Sequence, residues 1–140
     1  MDRTSIIAEE ISIIMPKIAR RILLGFFQTV QIPQSQLFAI TTIYETGPCK
    51  LSQLSQQMNI SAPTVTGIVD RLEKSGYVER RHDQADRRVI YIVLTPKGKG
   101  IARKLRATIR HKWRSIISKL PAEDRENYLN ILKKIQANLS

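Results

Sequence analysis

Apolar side chains recur every three or four positions through the opening stretch of the chain. Ile7, Ile11, Ile14, Ile18, Ile22, Phe26 and Val30 fall on one helical stripe and predict a long first helix. Pro16 lies inside that stripe, which predicts either a kink there or a helix that starts near it, with the preceding residues as a separate piece. Ile32-Pro33 interrupts the pattern, and 34–46 resumes it through Leu37, Ile40 and Tyr44 until Gly47-Pro48 ends it. Leu51, Leu54 and Met58 mark a short third helix, followed by a tight connection at Asn59-Ile60-Ser61. A fourth helix has Ser61 as its cap, Pro63 in its first turn, Val65, Ile68, Val69 and Leu72 as its inner face and Gly76 as a left-handed stop.

The periodicity then changes. Residues 77–81 and 89–94 read as two short strands around the polar loop HDQADRR, and Thr95-Pro96 opens a fifth helix over about 96–120. Ile101, Leu105, Ile109, Trp113, Ile116 and Leu120 line one side of it. After a turn at Leu120-Pro121, Tyr128, Leu132, Ile135 and Leu139 mark a last helix. Three helices and a hairpin in this order predict a winged helix-turn-helix: a mainly α fold with a small two- or three-stranded β-wing, flanked by N- and C-terminal helices.

At 140 residues the chain is expected to form a single domain, 1–140, able to bury a core without disulfides or a structural metal. Within it, the DNA-binding region is placed at about 34–98 and a dimerisation region at about 1–33 and 99–140. The terminal helices carry continuous apolar faces on either side of a small winged unit and need a partner surface. Ile11, Ile14, Ile18, Trp113, Tyr128, Leu132, Ile135 and Leu139 are the residues expected to meet it.

Charge sharpens the function. Lys and Arg total 23 against 12 Asp and Glu, a net +11 that suits a polyanionic partner such as nucleic acid. Nine basic residues and no acid fall between 97 and 119, and Arg103, Arg106, Arg110 and Arg114 share one side of the fifth helix. That face reads either as solvated or as DNA attraction or an anion pocket beside the dimer core. No apolar run approaches the roughly 20 residues that span a bilayer, and the first residues lack the basic segment of a signal peptide, so no membrane partner and a cytoplasmic location are expected.

The chemistry gathers on the fourth helix and the hairpin. In a winged helix-turn-helix the second helix of the pair, here 62–75, enters the major groove, and the hairpin reaches the neighbouring groove or backbone. The exposed side of that helix offers Thr64, Thr66, Gly67, Asp70, Arg71 and Lys74: hydroxyls for bases or phosphates, a small residue that permits close approach, and cations. Ser61, Ala62 and Pro63 sit at the positive end of the helix dipole.

SAPTVTGIVDRLEKSGYVERRHDQADRRVIYIVLTPKG, residues 61–98, resembles the signature region of the MarR (multiple-antibiotic-resistance regulator) family: a recognition helix ending in vdrLekkG, a D-x-x-D-R-R wing, then v-x-L-T-x-x-G. PQSQLFAITTIYETGP resembles the family's second helix, and the flanking long helices match its dimerisation region. The resemblance implies a homodimer with interlocked terminal helices and two modules reading successive major grooves of a pseudo-palindromic DNA duplex. It implies a repressor of transcription, and for many members release by a small, often anionic aromatic effector or an oxidant. Carried onto this chain, Arg88 is the arginine of the wing, 82–88, that enters the minor groove, and Asp86 holds it in place. Arg80, Arg81 and Arg87 supply phosphate contacts. Gly67 stands where some relatives carry a longer base-reading side chain, and Cys49 lies after the second helix rather than in the first, where oxidant sensors place their cysteine.

Alternative classes weigh less. Lone Cys49 reads as a small structural side chain, and His82 and His111 lack the cluster a metal needs, so no cofactor is expected. No nucleophile pairs with a base, which argues against an enzyme. The rival reading, favoured if Gly67 means little base readout, is a non-specific architectural DNA- or RNA-binding winged helix.

Overall fold

The computed structural model describes residues 1–139. Its elements run α1 (Arg3–Val30), α2 (Gln34–Thr46), α3 (Leu51–Met58), α4 (Ala62–Lys74), β1 (Val78–His82), β2 (Ile90–Leu94), α5 (Pro96–Ile117) and α6 (Ala122–Ala137). The mainly helical winged architecture expected from the pattern is present. Pro16 neither starts α1 nor divides it; it lies inside one continuous helix. Its ring removes the amide that would have bonded the Ser12 carbonyl, a loss the long helix tolerates.

Packing divides the chain into two compact units, 23–106 and a second made of 1–22 with the residues from 107 onward. The division falls inside α1 and α5. Side-chain burial accounts for it at α5: Ala102, on its first turns, belongs to the core of the winged unit.

In the winged unit the inner faces of α2, α3 and α4 meet under the sheet. Ile40, Leu54, Val65, Val69, Leu72 and Ile92 are buried to within 1% of full enclosure. Each such aliphatic side chain contributes roughly 1.5–3 kcal/mol by leaving water, which makes this cluster the main source of the unit's stability. The hairpin pairs antiparallel with Val78 opposite Leu94 and His82 opposite Ile90, and Cys49 joins it through an isolated bridge to Ile92. Thus α2 and α3 are tied to the wing by backbone as well as by apolar contact.

Two local devices fix the end of α4 against the start of α5. Gly76 follows the helix at φ 81°, a conformation that a side chain disfavours. The Thr95 hydroxyl donates to the Gly76 carbonyl at 2.5 Å and accepts from the Gly98 amide at 3.1 Å, capping α5 while pinning the preceding turn. Gly98 is required by space: a Cβ there would run into the Tyr77 carbonyl and approach Leu94 Cδ2 at 3.1 Å.

The second unit is built differently. Its α5 ends at Ile117, short of the expected 120, because Arg125 of α6 donates to the carbonyls of Ile117, Ser118 and Leu120 at 2.9–3.1 Å and so satisfies the chain end as a turn. Trp113 and Tyr128 pack edge to face with centroids 5.9 Å apart. Among its described residues Ile22 alone is buried. Ile11, Ile14, Leu132, Ile135 and Leu139 are all exposed, and Ile18, Trp113 and Tyr128 are half-buried. No described helix is long and apolar enough to cross a membrane.

Candidate nucleic-acid interface

Helix α4 presents two faces because its apolar residues recur at helical spacing. Val65, Ile68, Val69 and Leu72 point into the core, leaving Thr64, Thr66, Asp70, Arg71 and Lys74 exposed. Ser61 caps the helix: its Oγ accepts from the Thr64 amide at 3.4 Å and lies 2.8 Å from Thr64 Oγ1. Ala62 and Pro63 are exposed beside it, at the end where unpaired amides and the helix dipole favour an anion. The Thr66 hydroxyl donates back to the Ala62 carbonyl at 2.9 Å while the residue stays exposed. Gly67 is half-buried, yet a Cβ there would meet nothing within 4 Å. Its smallness therefore serves no packing inside the chain and leaves room for close approach from outside.

The wing is an ordered loop. Asp83 donates its amide to Val89, Val89 donates to Asp86, and the Asp83 carboxylate accepts from the Ala85 amide at 2.8 Å. His82 Nδ1 lies 2.7 Å from the Arg87 carbonyl. At the tip, Asp86 receives Arg88 in a fork, with Nε to Oδ1 at 3.0 Å and NH2 to Oδ2 at 3.1 Å, and Oδ1 also accepts the Arg88 amide. The hydrogen bonds from Arg88 hold the Asp86 carboxyl below its ordinary range, and the reciprocal contact raises Arg88. The Arg88 side chain is nevertheless 91% exposed. It is an ordered cation projecting into solvent. Arg87 is exposed, and Arg81 is exposed while paired with Glu79.

Arg80 is placed otherwise than expected. Instead of projecting toward a phosphate, its guanidinium is taken up by Asp70 at 2.7 Å and Glu73 at 2.5 Å on α4. The hydrogen bond to Asp70 is the largest cause of its raised pKa. Sequence reading missed this clamp, although the three-residue spacing of two acids on one helix face, followed by a strand arginine, was available as a signal. It also missed Asp83 as the loop's organiser and Lys97, whose Nζ donates to the Ser75 carbonyl at 2.8 Å and lies 4.5 Å from the Tyr77 ring centroid.

A cavity of about 460 Å³ lies on the same unit between α2, β2 and the start of α5. Ile43, Val93 and Leu94 give it apolar walls, and Tyr44, Arg81, Lys99 and Arg103 give it a phenol and three cations. Arg106 stands near it, 5.7 Å from the Tyr44 ring centroid. Arg103, Arg106, Arg110 and Arg114 are all exposed. Cys49 is buried, and burial pushes its thiol pKa up, away from the reactive thiolate. Among the described residues no group of three or more His, Cys, Asp or Glu side chains comes together that could hold a metal.

A capped helix with a polar outer face thus lies in the same unit as a wing that holds out a braced arginine. The MarR family model matches residues 32–90, which take in α2, α3, α4 and the wing loop. The uncharacterised HTH-type transcriptional regulator YsmB of Bacillus subtilis is 30% identical over 105 residues, covering 75% of this chain and 72% of that protein. The chain belongs to the MarR family. Its fold also agrees with solved structures of the family over nearly its full length. A MarR family protein from Bacillus stearothermophilus aligns with TM-score 0.88 at 21% identity, covering 99% of this chain and 98% of that one. Streptococcus pneumoniae FabT, solved in complex with DNA, aligns with TM-score 0.74 at 24% identity, covering 99% of this chain and all of that one. As a MarR-family chain, this protein is a DNA-binding transcriptional regulator.

Proposed function

We propose that this regulator is a cytoplasmic homodimeric repressor that reads a pseudo-palindromic operator, with α4 in the major groove and the wing 82–88 in the minor groove. The observation that carries the reading is the Asp86–Arg88 fork at a 91% exposed wing tip. A guanidinium suits the narrow, strongly negative minor groove, and a carboxylate that orders its long side chain beforehand lowers the entropy lost on binding. Ser61, Ala62, Pro63, Thr64, Thr66, Gly67 and Arg71 face the major groove in this reading, and Arg81 and Arg87 serve phosphates. Residues 34–98 form the DNA-binding part; 1–33 and 99–140 form the dimer, whose apolar faces are those left open in the single chain. The DNA-bound state of FabT supports the docking by likeness of fold.

The cavity beside Tyr44, Arg81, Lys99 and Arg103 suits a small anionic or aromatic effector, because apolar walls with a few cations bind an aryl carboxylate by both its parts. Ligand there would act next to the wing, through Arg81, and release the DNA.

The open space around Gly67 favours one second reading, a winged helix that binds duplex or RNA without selecting sequence. The two are separated by selecting genomic fragments with the purified protein, footprinting the enriched duplex and competing it with random duplex and RNA at fixed salt. Preference for the enriched duplex over random duplex of on the order of 10³ or more supports the operator reading. Equal competition by random duplex or RNA overturns it.

A further inference from the structure

The strand that leads into the wing carries a cation committed to the protein itself. Arg80 lies in β1 opposite Ile92. Its NH1 donates to Glu73 Oε1 at 2.5 Å and its NH2 to Asp70 Oδ1 at 2.7 Å. The Arg80 side chain is 25% exposed, against 91% for Arg88 on the same hairpin. Asp70 and Glu73 stand three residues apart on the outer side of α4, so one planar fork spans both.

The geometry points to Arg80 as a positioning residue: the fork to Asp70 and Glu73 sets the orientation of the wing-bearing strand relative to the recognition helix, and Arg80 makes no phosphate contact. This inference rests on the DNA reading above. Three physical arguments carry it. Two of the guanidinium nitrogens already hold carboxylates, and a phosphate approaching Arg80 would also approach those two negative charges. A lysine has the same charge but a single rotating ammonium, so only arginine can hold both acids in a fixed plane. Partly exposed ion pairs contribute little to stability, so the fork's consequence lies in orientation, where a small misplacement of Arg88 relative to α4 weakens simultaneous contact with two grooves.

The test measures the ratio of binding to the selected duplex over random duplex, across a salt series, for the parent, Arg80→Lys, Arg80→Gln and the pair Asp70→Asn/Glu73→Gln. Circular dichroism checks that each is folded; if Arg80→Lys fails to fold, the Asp70→Asn/Glu73→Gln variant carries the measurement. The expected result is a ratio that falls on the order of tenfold in both Arg80→Lys and Asp70→Asn/Glu73→Gln. The slope of log K against log salt should stay that of the parent in Arg80→Lys, and adding Arg88→Ala to Arg80→Lys should lose less than it does in the parent. The inference is overturned if both ratios match the parent's. It is equally overturned if Arg80→Lys binds like the parent while Arg80→Gln flattens the salt slope by about 0.9, the mark of one lost phosphate contact. A parent that shows no preference for the selected duplex defeats the operator reading instead, an outcome distinct from either of these.

Discussion

The winged unit and the terminal helices carry similar apolar periodicity and dispose of it in opposite ways. In the first, Ile40, Leu54, Val65, Val69 and Leu72 are enclosed, and every inward face finds another inside the same chain. In the second, Ile11, Ile14, Leu132 and Ile135 remain 40–52% exposed in helices whose stripes are just as regular. Apolar surface left open on this scale marks an interaction site, so in the proposed reading recognition of DNA falls to a self-sufficient module and assembly to one that another copy would complete.

The largest effect should come from breaking the second region without touching the first. Leu132→Glu with Ile135→Glu places charge on side chains exposed in the single chain, so each copy should still fold while the proposed dimer dissociates. Because two half-sites are engaged together only by a dimer, specific DNA affinity should fall by about 10²–10⁴-fold. Sedimentation and operator titration check it together. A variant that remains dimeric, or a monomer that binds like the parent, would show that these faces serve another purpose.

Gly98→Ala sharpens the comparison from the other side. The new methyl group would collide with the Tyr77 carbonyl, a backbone atom that cannot rotate away. Overpacking of this kind costs about 1–3 kcal/mol, and a rigid neighbour places Gly98 at the upper end. Denaturant unfolding should show a loss of stability that does not vary with protein concentration, unlike the effect of the two glutamates. Unchanged stability would mean that the junction of β1 and α5 yields more readily than its contacts imply.

These contrasts also explain what was legible in the sequence. Periodicity and caps located the elements from α2 onward to within a few residues, because Ser61, Gly76 and, toward Gly98, Thr95 act through local hydrogen bonds that neighbouring residues determine, while Pro16 left the start of α1 open. The Asp86–Arg88 pairing was expected from the resemblance of the wing to the family's D-x-x-D-R-R pattern, and two residues apart in a turn the pair is close enough to meet. The Arg80 clamp was not, since it joins a helix to a strand across a turn whose geometry only the fold sets. Charge alone made Arg80 look equivalent to Arg81 and Arg87. A stripe, likewise, shows that a face will be covered and cannot say whether by its own chain.

The smallest effect concerns a single side chain of the self-sufficient module. Arg88→Ala should weaken operator binding by about 1–3 kcal/mol, the range for one good groove contact, and leave thermal stability nearly unchanged because the side chain is exposed. Asp86→Ala should lose less, since Asp86 only orders the arginine, and the double variant should lose less than the sum because both act through one contact. The Arg88→Ala penalty should shrink when A·T-rich flanks are exchanged for G·C-rich ones, whose wider minor groove attracts a cation less. Acid should imitate the Asp86 variant in the free protein. Arg88 holds the Asp86 carboxyl below its ordinary value of 3.8, so the fork persists through neutral and mildly acidic pH and is lost only as pH falls through that depressed value. The Arg88 Nε–H resonance should therefore keep its bonded shift down to that range and then move. A midpoint above 3.8, or equal binding by Arg88→Ala and the parent on A·T-flanked DNA, would reduce the wing tip to a solvated turn.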